Sequence, residues 1–190
     1  QFYQNITGDN IQGVSVSDYS QSFNLLANKD EYQFNVITAP GIIKNATNHA
    51  AQFNTLVNLA QGRTDCIAVV DLVTYNSTIG AVTTQAGTVN SSYAASYWPW
   101  VQVNDPNTGE YAFIPASTLI PGVYAFNDSV AEPWFAPAGI NRGGLDTVVR
   151  PEKKLTQANR DTLYQGKVNP IAVFPNTGTV VFGQKTLQKK

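Results

Sequence analysis

The chain has 190 residues, of which 43% are hydrophobic and 11% aromatic, so it can bury a sizeable core and is not intrinsically disordered. Only 13% of the residues are charged, about half of the usual quarter, and such a surface favours contacts between neutral polar groups. The sequence has no apolar run long enough to span a membrane and no signal-peptide pattern, so membrane insertion is not expected.

The net charge of -1 is distributed unevenly along the chain. Residues 1–141 hold 3 basic and 10 acidic residues, a net -7, whereas residues 142–190 hold 9 basic and 3 acidic residues, a net +6. A basic segment can bind nucleic acid, but this one lacks interleaved aromatics and a recognition motif, so no direct nucleic-acid binding is expected. A chain with one acidic and one basic part can instead stack head to tail on copies of itself.

Apolar periodicity along the chain predicts an α/β fold, a mixed β-sheet flanked by helices. The predicted strands are residues 13–16, 32–38, 65–73, 98–104, 110–114, 146–149, 171–174 and 179–182. The predicted helices are residues 18–27, 45–62, 117–130 and 156–165. Residues 76–97 also have helical spacing, although their glycines and threonines lower helix propensity.

The clearest unit is a β-α-β motif at residues 32–73. A turn at Pro40–Gly41 ends its first strand. Its helix has Asn45 as N-cap and Gly62 as the C′ residue. The apolar run after Asp65 does not alternate, which is typical of a strand covered on both faces.

In the second half of the chain, residues 105–109 predict the turn of a hairpin and Thr156 predicts the cap of the last helix. The helix at residues 117–130 is expected to bury Val123, Tyr124 and Phe126.

The segment at residues 127–142 is not an ordinary linker. It places Trp134, Phe135 and Ile140 around two prolines, Pro133 and Pro137, which exclude both a helix and a central strand. Surface loops are normally rich in small polar residues, so we expect these large side chains to be buried and the segment to be packed against the domain.

Charged residues and glycines flank this segment. Asp128 and Arg142 lie at its two ends, and an ion pair between them would hold it closed. Gly139, Gly143 and Gly144 permit turns that a Cβ would forbid.

Few residues suggest chemistry. Asp71 is the best catalytic candidate because it ends a buried strand, the usual place for a site in an open α/β sheet, although a carboxylate that caps a loop amide is the simpler interpretation. His49 is the only histidine and Cys66 the only cysteine, so we predict a structural histidine, a buried thiol and no metal site.

One run has the partial pattern of a phosphate-binding loop. Residues 178–186 contain two glycines, a lysine and a threonine, but Gln184 displaces Lys185 by one position. The apolar residues between the glycines favour a strand. We therefore predict no catalytic residue and no cofactor.

Several short motifs in the second half resemble the tail sheath protein family of contractile-tailed bacteriophages and related contractile injection machines. They are Trp134 with residues 136–139, residues 160–164, residues 168–171, Phe174 with Pro175, and residues 182–186. Their order and spacing cover residues 114–187, whereas residues 1–113 give no matching motif. The resemblance implies structural motif positions at Asp128, Trp134, Pro137, Gly139, Arg142, Asn169, Pro170 and Gly183.

The resemblance implies a non-enzymatic subunit, not an enzyme. Such subunits form hexameric rings that stack helically around a tail tube, meet a baseplate, and contract to drive the tube through the host envelope. The implied location is the virion, after assembly in the host cytoplasm. Residues 1–190 would then be a single sheath domain, a fragment without the C-terminal domain that links neighbouring subunits, as the absence of methionine also suggests.

Two alternatives stay open at this point. One is a small α/β hydrolase or phosphatase that uses Asp71. The other is a secreted adhesin-like binding domain, suggested by the Asn-x-Ser/Thr triplets, which begin at Asn5, Asn45, Asn76, Asn90 and Asn127.

Overall fold

A computed structural model describes residues 6–189 of the chain. Its strands are β1 (Ile6–Thr7), β2 (Asn10–Ile11), β3 (Val14–Ser15), β4 (Val36–Ile43), β5 (Ile67–Asp71), β6 (Ala94–Trp98), β7 (Val101–Asn104), β8 (Tyr111–Ile114), β9 (Val148–Pro151), β10 (Asn169–Phe174) and β11 (Gly178–Val181). Its helices are α1 (Tyr19–Leu26), α2 (Ala50–Arg63), α3 (Ile79–Ala86), α4 (Ile120–Val130) and α5 (Gln157–Gln165).

The central sheet has the strand order β11-β10-β6-β5-β4. Neighbouring strands from β4 to β10 are parallel, and β11 is antiparallel to β10. Two smaller three-stranded sheets have the orders β1-β2-β3 and β8-β7-β9. The predicted α/β class, a mixed sheet flanked by helices, is confirmed.

Helices cover both faces of the central sheet. One core joins α1, α2, α3 and α5 to β5 through Ala68 and Val70. A second core, on the opposite face because side chains alternate along a strand, joins α4 to β5 through Val69. The prediction that this strand is covered on both faces is therefore confirmed.

The turn predicted at Pro40–Gly41 is wrong. Strand β4 continues through both residues, and its register with β5 shifts between Thr38 and Ile43. Because β4 lies at the edge of the sheet, Pro40 costs no hydrogen bond to an outer neighbour. Gly41 supplies the positive φ of 102° that the irregular step requires.

Helix α2 begins at Ala50, later than predicted from Asn45 as its N-cap. The Asn45 side chain instead accepts a hydrogen bond from the Thr74 backbone N–H at 2.9 Å. His49 comes directly before the helix and is fully buried, with Nδ1 accepting from the Ile43 N–H at 3.2 Å. Burial lowers the pKa of His49, so the neutral ring is favoured.

The helical interpretation of residues 76–97 is half right. Thr78 caps α3 by accepting from the Ala81 N–H, but the helix stops at Ala86 before Gly87. Strand β6 then enters the middle of the sheet with every residue buried. Such a strand shows no alternation, because both of its faces are apolar.

Candidate interaction surface

The segment at residues 127–142 crosses the outer edge of β11, to which main-chain hydrogen bonds attach it. The Gly139 N–H donates to the Val181 carbonyl at 2.8 Å, and the Val181 N–H donates to the Gly143 carbonyl at 2.7 Å. A Cβ added to Gly143 would lie 2.6 Å from the Val181 oxygen, so only glycine permits this close approach.

Two polar side chains of the same segment donate hydrogen bonds to its own carbonyl groups. Asn127 is buried at the end of α4, and its Nδ2 donates to the Phe135 carbonyl at 3.2 Å. Arg142 Nε donates to the Ala136 carbonyl at 3.1 Å, and its guanidinium lies 5.0 Å from the Phe135 ring centroid. The ion pair considered between Asp128 and Arg142 does not form, because salt bridges within residues 6–189 join only Arg63 to Asp65 and Glu152 to Lys153.

The large apolar side chains of the segment face solvent, contrary to prediction. Trp134 is 77% exposed, Ile140 57% and Phe135 44%. Phe126, expected in the core of α4, is also exposed, and so is Val130. The prediction failed because backbone groups, Asn127 and Arg142 fix the segment, so that its aromatics are not needed to hold it.

We call the exposed residues Phe126, Val130, Trp134 and Ile140 the α4 patch. Three exposed carboxylates lie in this part of the chain: Glu132 precedes Trp134 by two residues, Asp146 follows the segment, and Asp128 of α4 lines another cavity. Phe126, Ile140 and Asp146 line one shallow cavity, which shows that α4 and the segment form a continuous surface. A rigid apolar patch with a charged rim is typical of an interaction site.

The second group of motif residues fixes the segment after β11. Buried Asn169 donates from Nδ2 to the Ser96 and Lys185 carbonyls and accepts the Lys185 N–H at 2.7 Å. The Pro170 carbonyl accepts the Phe182 N–H at 2.8 Å. A Cβ on Gly183 would lie 2.9 Å from Asn169 Oδ1, so this glycine is required for close packing.

Beside this segment, basic side chains lie on aromatic rings. The Phe174 and Phe182 ring centroids are 5.0 Å apart, and Arg160 of α5 lies 5.1 Å from the first and 6.0 Å from the second. Lys185 Nζ lies 3.6 Å from the Tyr164 ring centroid. These residues, with Lys167, are called the α5 patch. These residues are separated in the sequence and only the fold brings them together, so the interleaving is not visible in the sequence.

A groove of about 670 Å³ runs along the α5 patch. Arg160, Tyr164 and Phe182 line one side of it, and Ala136 and Ala138 of the crossing segment line the other. Pro137 and Asp128 line a neighbouring cavity of about 370 Å³. Five of the predicted motif positions, Asp128, Pro137, Gly139, Pro170 and Gly183, therefore line these two cavities.

Comparison with known proteins identifies the family. The profile of the phage tail sheath protein central domain matches residues 12–187. The chain belongs to the phage tail sheath family. The match begins far ahead of residue 114, where the motifs that carried the resemblance start.

Curated relatives are tail sheath proteins. The chain is 26% identical to that of Enterobacteria phage T4 over 195 residues, which cover 91% of this chain and 29% of the T4 protein. It is 36% identical to that of Vibrio phage KVP40 over 105 residues, 55% of this chain and 15% of that protein. The sheath chain thus spans less than a third of these relatives.

Solved structures have the same fold. The sheath of an extracellular contractile injection system in its contracted state matches with a TM-score of 0.70 and 25% identity, over 93% of this chain and 45% of that one. A chain of the anti-feeding prophage baseplate matches with a TM-score of 0.68 and 24% identity, over 92% and 44%.

Asp71, the catalytic candidate, accepts hydrogen bonds from Ser117 within the fold. Its Oδ2 accepts the Ser117 hydroxyl at 2.5 Å and its Oδ1 accepts the Ser117 backbone N–H at 3.3 Å. Burial raises its pKa from 3.8 to about 7. No group of three His, Cys, Asp or Glu side chains within residues 6–189 is placed to hold a metal ion.

Aromatic residues fill the space beyond the carboxyl ends of β5 and β6. Trp100 donates from Nε1 to the Val73 carbonyl at 3.0 Å, and Tyr75 packs on both Trp100 and Phe113, with ring centroids 5.9 and 5.0 Å apart. This is the position where open α/β sheets bind ligands. In this chain it is a packed core, which agrees with Asp71 as a cap for the turn at Ser117.

The adhesin interpretation gains no support. Asn127, one of the triplet residues that suggested it, is buried and therefore inaccessible to glycosylation, while Asn5 lies outside the described residues. No helix within residues 6–189 is long and apolar enough to cross a membrane.

Proposed function

We propose that the chain is part of a structural subunit that polymerises into a contractile sheath around a tail tube. Contraction of that sheath would drive the tube through the host envelope for genome delivery. The family match over residues 12–187 carries this proposal. The similarity to a sheath solved in its contracted state supports it, and so does the rigid apolar surface of the α4 patch.

We further propose that residues 1–190 act as one domain of a longer subunit. In support, helices of the chain itself cover both faces of the central sheet. The segments that link neighbouring subunits are proposed to lie in other parts of the subunit, because the chain spans only 29% of the T4 protein.

The proposed partners are other sheath subunits in hexameric rings, the tail tube protein and the baseplate. The last two rest on the family resemblance. The proposed location is the virion, after assembly in the host cytoplasm. Direct binding of nucleic acid and membrane insertion are not part of the proposed role.

The role is proposed to be non-enzymatic. Both carboxylate oxygens of Asp71 are bound by Ser117, so this residue caps a turn. Replacing Asp71 by Asn is expected to leave sheath assembly intact. A hydrolytic activity that this substitution abolished would contradict the proposal.

Assembly itself is the experiment that tests the function. The complete protein is expected to form tubes or rings visible by negative-stain microscopy. The 190-residue chain is expected to remain a monomer at micromolar concentration in sedimentation velocity, because exposed charges are screened within about 8 Å at physiological salt. Stable hexamers of the 190-residue chain, or a complete protein that stays monomeric, would contradict this division of roles.

A further inference from the structure

We propose that the α4 patch of one copy packs against the α5 patch of a neighbouring copy. This inference rests on the proposed function and names one contact between its subunits. Three observations support it: the rigidity of the α4 patch, the charges of the two patches, and the groove of the α5 patch.

The α4 patch is preorganised for binding. Trp134 is 77% exposed, yet the backbone beside it is fixed by Asn127, Arg142 and the attachment of Gly139 to β11. A rigid segment loses little conformational entropy when it binds. Tryptophan, tyrosine and arginine dominate the binding energy of protein interfaces. Trp134 supplies the first, and the α5 patch offers Tyr164 and Arg160.

The two patches have opposite charge. Glu132 lies two residues before Trp134, Asp146 lines one cavity with Phe126 and Ile140, and Arg142 is the cation of the crossing segment. The α5 patch holds Arg160, Lys167 and Lys185, with Asp161 as the anion in its groove. Opposite potentials favour this pairing and disfavour a contact of either patch with itself.

The groove of the α5 patch fits an aromatic side chain. Its volume of about 670 Å³ and its lining by Arg160, Tyr164 and Phe182 match the size and composition of sites that bury bulky groups. An indole placed there would meet Phe182 and the Arg160 guanidinium, which line the groove, and a cation on an aromatic face favours tryptophan.

The contact is tested in tubes assembled from the complete protein. Trp134→Ala and Glu132→Lys are each expected to raise the critical concentration for assembly at least about tenfold, measured by pelleting and microscopy. Arg160→Glu is expected to do the same. Combining Glu132→Lys with Arg160→Glu is expected to recover most of the loss, because the swapped charges attract again.

Matched controls come from another exposed region. Tyr111 on β8 is 57% exposed and follows exposed Glu110, so Tyr111→Ala and Glu110→Lys repeat both kinds of change away from the patches. They are expected to shift the critical concentration less than about twofold, as is usual for residues outside an interface. Because Arg160 packs on Phe174 within its own chain, Lys167→Glu is a second test of the α5 patch.

Crosslinking distinguishes failure of the contact from failure of the function. Cys66 is buried, so cysteines introduced as Glu132→Cys and Arg160→Cys, one in each of two populations, report only contacts between copies. A short bis-maleimide is expected to join the two populations in assembled tubes. Tubes that form normally but give no crosslink, and variants that assemble like the controls, would overturn the contact and leave the proposed function standing.

The same variants test whether the α5 patch binds nucleic acid instead of another copy. Basic side chains interleaved with aromatic rings also bind single-stranded nucleic acid. A gel-shift assay of the 190-residue chain with single-stranded DNA is expected to show no retarded band at micromolar protein. Retardation that Lys167→Glu abolished would assign the patch to nucleic acid and overturn the contact between copies.

Discussion

Trp100 and Trp134 lie in two regions of the molecule that differ in how far their aromatic side chains are buried. Trp100 is 2% exposed, donates to the Val73 carbonyl, and packs with Tyr75 beyond the carboxyl ends of the parallel strands. Trp134 is 77% exposed, in a segment fixed by its backbone. An aromatic residue between prolines therefore does not imply burial; the partners of the backbone groups decide whether the aromatics are free.

The largest effect is expected when the buried ring of Trp100 is removed. Trp100→Ala is expected to lower the free energy of unfolding by about 3–5 kcal/mol, because it leaves a cavity against Tyr75 and Phe113. Urea denaturation of the 190-residue chain measures it. A loss below about 1 kcal/mol would mean that the carboxyl ends of the strands are not a packed core.

A second test uses pH, to which the buried region responds through Asp71. Its folded pKa of about 7 lies above the ordinary 3.8, so the protonated carboxyl stabilises the fold. That contribution is complete below about pH 4 and is lost as the pH rises through about 7. Between these limits the unfolding free energy of the natural chain is expected to fall by about 2–4 kcal/mol more than that of the Asp71→Asn variant.

Comparing the two proteins isolates Asp71 from other groups. Burial also raises the pKa of Glu152 and lowers that of His49, and both residues are present in each protein. Parallel profiles of unfolding free energy against pH for the two proteins would show that Asp71 does not titrate in this range.

A third test addresses the attachment of the exposed segment to β11. Gly143→Ala is expected to cost about 1–3 kcal/mol, because the added Cβ would meet the Val181 oxygen. Gly122 of α4 has nothing within 4 Å of an added Cβ, so Gly122→Ala is the matched control and is expected to be neutral or slightly stabilising. Equal effects at both glycines would show that the segment is not held by this contact.

The smallest expected effect is at the exposed ring. Trp134→Ala is expected to change the unfolding free energy by less than about 1 kcal/mol in the 190-residue chain, while it weakens assembly of the complete protein. Urea denaturation beside Trp100→Ala makes the comparison direct. A loss of about 3 kcal/mol or more would place Trp134 in the core after all.

Local signals in the sequence predicted much of the fold. Thr156 caps α5 as expected, with its side chain accepting from the Asn159 N–H. The hairpin of β7 and β8 follows from its turn at residues 105–109. These features depend on residues close in sequence, which is why pattern and turn chemistry find them.

The remaining features depend on partners distant in sequence. Buried Arg63 donates to the Leu26 and Tyr32 carbonyls at 2.5 and 2.7 Å while it pairs with Asp65, and nothing near residue 63 indicates those partners. Asn127 and Arg142 likewise hold the exposed segment through carbonyl groups, which every residue possesses. The motif positions were inferred from the family resemblance, which does not predict the exposure of Trp134.

The path of the segment at residues 139–145 limits how copies of this domain can join. An edge strand with free N–H and C=O groups would invite another chain to add a strand. Here Gly139, Gly143 and Leu145 already occupy those groups along β11, so a neighbour on that side can bind only through side chains. Side-chain contacts can be exchanged one at a time, whereas a strand ladder must be broken as a whole. A contact on that side can therefore change its angle without unfolding either copy.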